Sequence, residues 1–194
     1  IEILNEFHGE IDINSFHTIL EKMKDRLEAE ASHLEIEFPY FLTKTKNGGG
    51  TKGSNDQIGS LKHYHCSMHG SLEVGSELKL RVEVPISLPV TEHNPARLPG
   101  SMGSWGKAVV SVKFHQFFWI EDIINLIEEA VDNELADLPL RKRKVLSVEP
   151  LVRRVGDVLE TVEAIRWFSV TIHNFGDDCS TFASMESVNQ IKYP

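Results

Sequence analysis

Apolar residues recur along the chain with two spacings, and these spacings predict the order of helices and strands. Near the start, apolar positions fall on one side of a helix with charged residues opposite, and Asn14 or Ser15 can cap that helix. Its apolar stripe consists of Phe16, Ile19, Leu20, Met23 and Leu27. Apolar and acidic residues then alternate over residues 34–39, which predicts a half-buried strand.

Alternation predicts five further strands, interrupted by two more amphipathic helices. The strands cover Ser60–Leu72 and residues 77–86, 107–114, 165–174 and 181–186. One helix opens at Trp119, with a stripe of Ile120, Ile123, Ile124, Ile127 and Val131; the next runs through Leu151, Val152, Val155, Val158 and Leu159. Few strands are separated by a whole helix, so we expect an α+β fold with antiparallel strands and helices gathered on one sheet face.

Two segments lack any periodicity. Residues 44–59 are rich in glycine and polar side chains, which predicts a flexible loop, and the Walker spacing of a phosphate-binding loop is absent. Residues 89–106 are rich in proline and glycine, and this connection is long enough to carry function.

Composition and charge narrow the function classes. The chain has 194 residues and a net charge of −9, which argues against nucleic acid or an anionic membrane as a partner. Cys66 and Cys179 lie in separate segments and indicate neither a disulfide framework nor a thiolate zinc site. We expect a cytoplasmic protein that folds as a single unit of two closely paired lobes, roughly residues 1–88 and 104–194.

Histidines on one predicted strand are the first candidate chemistry. Alternation places His63, His65, Ser67 and His69 on one face of Ser60–Leu72, opposite Tyr64, Cys66 and Met68. Two histidines at positions i and i+2 can bind a divalent metal, and His93 could supply a third ligand. The alternative is a solvated strand face whose imidazoles have no common role.

Basic residues are the second candidate chemistry. Arg141, Arg143 and Lys144 precede the helix that carries Arg153, and together they could bind an anionic ligand, because guanidinium groups match phosphate oxygens. The alternative is a solvated basic helix face.

Several segments resemble the type IB GTP cyclohydrolase family, and the resemblance spans nearly the whole chain. They are residues 1–6 (Ile-Glu-Ile-Leu-Asn-Glu), 27–41, 82–85 (Val-Glu-Val-Pro), 119–122 (Trp-Ile-Glu-Asp), 165–170 and 173–175. The resemblance implies a tunnelling fold: antiparallel sheets, backed by paired helices, assemble into barrels with active sites at subunit boundaries. It also implies a homo-oligomer, and that the family's first strands lie upstream of Ile1.

The activity implied by this resemblance is hydrolysis of GTP to dihydroneopterin triphosphate in folate or pterin biosynthesis, with a divalent metal such as Zn, Fe or Mn. Four family site positions carry other residues here. Trp105 and Cys179 stand where the family has histidines, Lys144 stands at a carboxylate ligand, and Arg153 stands at the carboxylate that holds guanine. His93 falls on the family's ligand cysteine when the segment is aligned backward from Gly103, whereas the forward alignment places Val90 nearby.

Three hypotheses follow from these substitutions. In the first, the chain is a cyclohydrolase for GTP or a related purine or pterin, and its remodelled metal set comes from His93, Cys179, His63 and His65. In the second, it is a catalytically silent paralogue that keeps the assembly surface. In the third, it binds another acidic purine-like or pterin-like ligand through Arg141, Arg143, Lys144, Arg153 and Trp105.

Overall fold

The computed structural model describes residues 13–44, 60–72, 77–87, 105–114, 116, 118–137, 147–176 and 180–187. Three helices lie in this part of the chain: α1 (Ile13–Arg26), α2 (Ile120–Asp137) and α3 (Glu149–Glu160). Six strands accompany them: β1 (Ser32–Lys44), β2 (Ser60–Leu72), β3 (Glu77–Ser87), β4 (Trp105–Phe114), β5 (Ile165–Phe175) and β6 (Ser180–Glu186). The α+β class expected from the sequence is confirmed.

All six strands form one antiparallel sheet in which spatial order follows chain order, from β1 to β6. Strands β3 and β4 pair directly, with Ser87 opposite Trp105, so residues on both sides of the 88–104 connection share the sheet. Pairing of β2 with β3 ends at Glu83, two residues before Pro85, which has no N–H to donate to a ladder. Among the described strands, β1 and β6 are the two edges of the sheet.

The helices cover one face of the sheet, which we call the helix face. Alternation along each strand turns apolar side chains toward it, and Tyr64, Cys66, Val82, Val110 and Val170 are all buried there. The helices contribute the other half of this core through Phe16, Ile19, Leu20, Ile123, Ile127, Leu151, Val155 and Leu159. We call the opposite face, where the strands present most of their polar side chains, the open face.

A hydrogen-bonded carboxylate ties α2 to the sheet. The buried Tyr64 hydroxyl donates to Oε1 of Glu128 at 2.6 Å, and Lys62 Nζ donates to the same oxygen at 2.8 Å. Burial, followed by the hydrogen bond and the negative charge of Glu128, raises the pKa of Tyr64 above its usual range. None of the helices in the described part of the chain is long and apolar enough to cross a membrane.

Several element boundaries differ from those expected, most clearly at three places. Asn14 and Ser15, the expected capping positions, lie inside α1, whose described part begins at Ile13. Strand β4 begins at Trp105, so Trp105 and Gly106 belong to the sheet and not to the preceding connection. Strand β1 extends to Lys44, which pairs with Ser60. Residues 45–59, the rest of the predicted loop, lie outside the described residues.

Candidate functional site at the loop end of the sheet

Three connections leave the sheet at the same end. Because the strands are antiparallel and sequential, residues 45–59, 88–104 and 177–179 each join strand ends that pair with one another. These ends are Lys44 with Ser60, Ser87 with Trp105, and Phe175 with Ser180. We call this the loop end of the sheet. It brings together the attachment points of the segments that carry His93 and Cys179, two of the candidate metal ligands.

The start of β4 is fastened to the end of β5 at the loop end. The rings of Trp105 and Phe175 stack with centroids 4.4 Å apart, and Asn174 Nδ2 donates to the backbone oxygen of Trp105 at 2.9 Å. Gly106 allows this approach, because a Cβ there would collide with the backbone oxygen of His173. Trp105 nevertheless remains 56% exposed and offers an aromatic surface next to the 88–104 connection.

The predicted alternation along β2 is confirmed. Tyr64, Cys66 and Met68 are buried on the helix face, whereas His63 and His65 are exposed on the open face. The ring of His63 stacks on Phe41 with centroids 5.2 Å apart. His65 Nε2 lies 3.9 Å from Oε2 of Glu37 on β1.

A complete metal site is not formed by the described residues. Among them, no group of three or more His, Cys, Asp or Glu side chains is arranged to hold a metal ion. Cys66 is a poor ligand, because burial on the helix face raises the pKa of its thiol to about 12. His93 and Cys179 lie outside the described residues, so the metal set that includes them stays a prediction.

The candidate anion ligands lie on different parts of the chain. Arg153 is exposed on α3, whose buried residues Leu151, Val152 and Val155 pack toward the helix face. The sheet therefore lies between Arg153 and His63 of the same chain. Arg141, Arg143 and Lys144 lie outside the described residues.

A charged network on the open face was not anticipated from the sequence. Lys107 Nζ lies 2.9 Å from Oε2 of Glu83, and Arg81 Nη2 lies 3.1 Å from Oε1 of the same carboxylate. Partial burial works to raise the pKa of Glu83, but the two cations outweigh it and the pKa is lowered. The signal that could have found the network is the alternation of Lys79, Arg81 and Glu83 along β3.

A family model supports the resemblance that the sequence motifs carry. The model for "Type I GTP cyclohydrolase folE2" matches residues 1–176 of this chain. The match includes five of the six strand ends that define the loop end, all except Ser180, together with the segment that holds His93.

Curated relatives agree with the family model. The chain is 38% identical over 189 residues to GTP cyclohydrolase FolE2 of Syntrophus aciditrophicus, with 90% of this chain and 70% of the relative covered. It is 35% identical over 187 residues to the protein of the same name from Syntrophobacter fumaroxidans, again covering 90% and 70%. GTP cyclohydrolase FolE2 of Pelobacter propionicus is 32% identical, with coverage of 96% and 74%.

Solved structures with low sequence identity share the fold. Urate oxidase from Bacillus sp. TB-90 superposes with a TM-score of 0.60 at 11% identity, covering 97% of this chain and 75% of the other. Uricase from Arthrobacter globiformis gives a TM-score of 0.54 at 7% identity, covering 96% and 73%. These likenesses confirm the tunnelling fold and carry no activity to this chain. The family model and the curated relatives show that the chain belongs to the type I GTP cyclohydrolase FolE2 family, the type IB enzymes that its motifs resemble.

Proposed function

We propose that this chain is a subunit of a GTP cyclohydrolase that consumes water, converts GTP to dihydroneopterin triphosphate and releases formate. Membership of the FolE2 family supports this activity. The observation that carries the proposal in the structure is the register of β3 through β6, which joins the 88–104 and 177–179 segments to the same end of one sheet. Groups from both segments are thereby available to a single site.

We further propose that His93 and Cys179 hold a divalent metal, with His63 or His65 as additional ligands. Imidazole nitrogen and thiolate sulfur together suit zinc or iron, and the exposed open-face position of His63 leaves its ring accessible from the loop end. A metal in such a site lowers the pKa of a bound water and so provides hydroxide near neutral pH. Unlike the family's residues at these positions, Trp105 and the cationic Lys144 cannot bind a metal ion, and Arg153 has no acceptor for the donor edge of guanine.

In the proposed GTP site, an aromatic residue contacts the purine and basic residues contact the triphosphate. The exposed indole of Trp105, held by Phe175 and Asn174, offers a flat surface against which a purine can stack. Arg141, Arg143, Lys144 and Arg153 would bind the triphosphate, because guanidinium and ammonium groups donate charge-assisted hydrogen bonds to phosphate oxygens.

A second copy of the chain is part of this proposal. Arg153 and His63 lie on opposite sides of the sheet within one chain, so a site using both needs residues from another subunit. Strands β1 and β6 each present an edge, and closed assemblies cover such edges. Assembly of the sheets of several subunits into a barrel would bring Arg153 of one subunit toward His63 of another and would also cover the strand edges.

The proposal is tested on the full chain purified without chelators. We expect a stoichiometric divalent metal by mass spectrometry, and formate and dihydroneopterin triphosphate in equal amounts when GTP is added. A folded protein with neither metal nor turnover would contradict the proposal and favour the silent paralogue. A metal-free protein that binds GTP without turnover would favour a binding protein for an acidic ligand.

Variants assign the ligands. His93→Ala and Cys179→Ala should each reduce both metal content and turnover by at least about tenfold, because the loss of a second-shell partner alone commonly costs about 10–100-fold in metal affinity or activity. His17→Ala, which removes an exposed histidine on α1, is the matched control and should change neither. Unaltered metal content in the double variant His63→Ala/His65→Ala would remove these two histidines from the ligand set.

A further inference from the structure

A basic cleft lies on the open face at the end of the sheet opposite the loop end. It has a volume of about 590 Å³ and is lined by four cationic side chains, Lys79, Arg81, Lys113 and Arg166, beside the ring of Trp167. The chain as a whole has a net charge of −9, so this concentration of positive charge runs against its overall balance. None of these residues is among the candidate metal or ligand-binding positions discussed above, although Arg166 and Trp167 lie in the family-like segment 165–170 and Arg81 belongs to the charged network with Glu83.

Two lysines in the cleft face each other across neighbouring strands. Lys79 on β3 is directly opposite Lys113 on β4 in the sheet register. Like charges in directly opposed positions destabilise a sheet. Both ammonium groups lie over the ring of Trp167, with Nζ 5.2 Å and 5.5 Å from its centroid, and this cation–π contact offsets part of the repulsion.

Trp167 is held in place from the other side of the cleft. Its Nε1 donates to Oε1 of Glu186 on β6 at 2.8 Å. Arg81 is likewise oriented, by its 3.1 Å contact with Glu83. The cleft therefore has positioned cations along one wall and a positioned ring along the other.

Three of the remaining lining groups can also contact an anion. Ser67, Ser71 and His69 supply hydroxyl and imidazole groups that can donate hydrogen bonds. Two carboxylates, Glu35 and Glu186, also line the cleft, so the four cations outnumber the acids among the lining side chains.

The cleft is separate from the candidate active site. Lys113 lies eight residues beyond Trp105 along β4, which corresponds to about 26 Å at the rise of an extended strand. A ligand bound between Lys79 and Lys113 would therefore not reach the 88–104 and 177–179 attachment points.

We propose that this cleft binds a small molecule carrying two or more phosphate groups. Lys79 and Lys113 would donate to the phosphate oxygens and thereby relieve their mutual repulsion, while Arg81 and Arg166 would approach from the flanks. The volume is in the range of small-molecule sites and leaves room for an organic group beyond the phosphates. The inference does not depend on GTP turnover.

Inorganic triphosphate is the probe for this site. The titration is made on the full chain carrying Arg153→Gln as the parent, which weakens the triphosphate site proposed above. Calorimetric titration should show binding that weakens by about tenfold when Lys79→Gln or Lys113→Gln is added to this parent, because each variant removes one charge-assisted contact. Lys24→Gln on α1 removes one positive charge outside the cleft and should bind as the parent does. Triphosphate should also change tryptophan fluorescence, and this change should be lost in Trp167→Phe.

Kinetics with GTP separate this site from the proposed active site. Lys79→Gln should retain the KM and kcat for GTP while losing affinity for triphosphate, and this combination supports a distinct site. Equal affinity for triphosphate in the parent, Lys79→Gln and Lys113→Gln would overturn the proposal. A loss of GTP turnover in Lys79→Gln that matches its loss of triphosphate affinity would overturn the separation of the two sites.

Discussion

Asn174 on β5 donates its side-chain amide to the backbone oxygen of Trp105, the first residue of β4, at 2.9 Å. Asn174 is only 1% exposed, although it lies at the end of its strand where solvent would normally reach. The hydrogen bond therefore fixes the place where the 88–104 connection re-enters the sheet. It does so through a side chain, in addition to the backbone ladder that pairs Gly106 with Asn174.

Replacing Asn174 with alanine should lower the free energy of unfolding by about 1–3 kcal/mol, because a buried hydrogen bond is lost and the Trp105 carbonyl loses a donor. Urea denaturation measures this change. Asn133→Ala, at an exposed position of α2, is the matched control and should have an effect within about 0.5 kcal/mol of zero. Equal stability of the two variants would contradict the role given to Asn174.

Two glycines should respond differently to alanine. A Cβ at Gly106 would meet the backbone oxygen of His173, which cannot move without disturbing β5, so Gly106→Ala should cost about 1–3 kcal/mol. A Cβ at Gly156 on α3 would meet Met185 Sδ, the far end of a flexible side chain, and alanine also favours the helix by up to about 1 kcal/mol. Gly156→Ala should therefore be much closer to neutral. Thermal or urea unfolding that ranks the two in the reverse order would refute this reasoning.

The raised pKa of Tyr64 should make the protein sensitive to alkali. Above pH 10, the usual pKa of tyrosine, the unfolded chain loses this proton while the folded chain keeps it. Fewer protons bound in the unfolded state mean that the free energy of unfolding falls as pH rises. Tyr64→Phe should cost about 1–3 kcal/mol near neutral pH, since the hydrogen bond to Glu128 is lost, and should show a shallower fall above pH 10.

Urea titrations at several pH values between 8 and 11, run in parallel on both proteins, test this. Cys66 contributes to the alkaline slope in both, because its thiol pKa is also raised, so the comparison isolates Tyr64. Parallel slopes in the parent and in Tyr64→Phe would show that Tyr64 is not the responsible group.

A strained residue closes α1. Glu28 has φ of 48°, in the left-handed region that favours glycine. It is held there by two backbone hydrogen bonds, from Ala29 to Lys24 and from Glu28 to Asp25, which together form a Schellman motif. Glu28→Gly should therefore raise the free energy of unfolding by about 1 kcal/mol. Glu28→Ala keeps the Cβ and is the control. A stabilisation of equal size in both variants would point to loss of charge, not relief of strain.

The spacing of apolar residues was sufficient to predict the helices and strands that build the core. The stripes through Ile123, Ile127, Val155 and Leu159 are buried as expected, because a helix packed on a sheet must turn one continuous apolar face toward it. The alternation in β2 was equally informative. Trp119, where the second helix was expected to open, lies just before α2 and is 64% exposed. A single aromatic residue just before a helix carries no periodic signal that could have shown this.

The candidate site was harder to anticipate, because it depends on which strand ends meet. The pairing of Trp105 with Phe175 joins residues separated by two helices, and no local pattern specifies it. The basic cleft was hard to anticipate for the same reason. Lys79, Lys113 and Trp167 come from three strands, and each is an ordinary polar-face residue when its own strand is considered alone.

The sequential order of the six strands also has a kinetic consequence. Four pairs of strands are neighbours in the chain as well as in the sheet: β1–β2, β2–β3, β3–β4 and β5–β6. Each of these pairs can therefore form with a modest loss of chain entropy. The β4–β5 pair must first close the long segment that contains α2 and α3, and closure entropy rises with that length. We therefore expect the two groups of strands to form early and their joining at Trp105 and Phe175 to limit the folding rate.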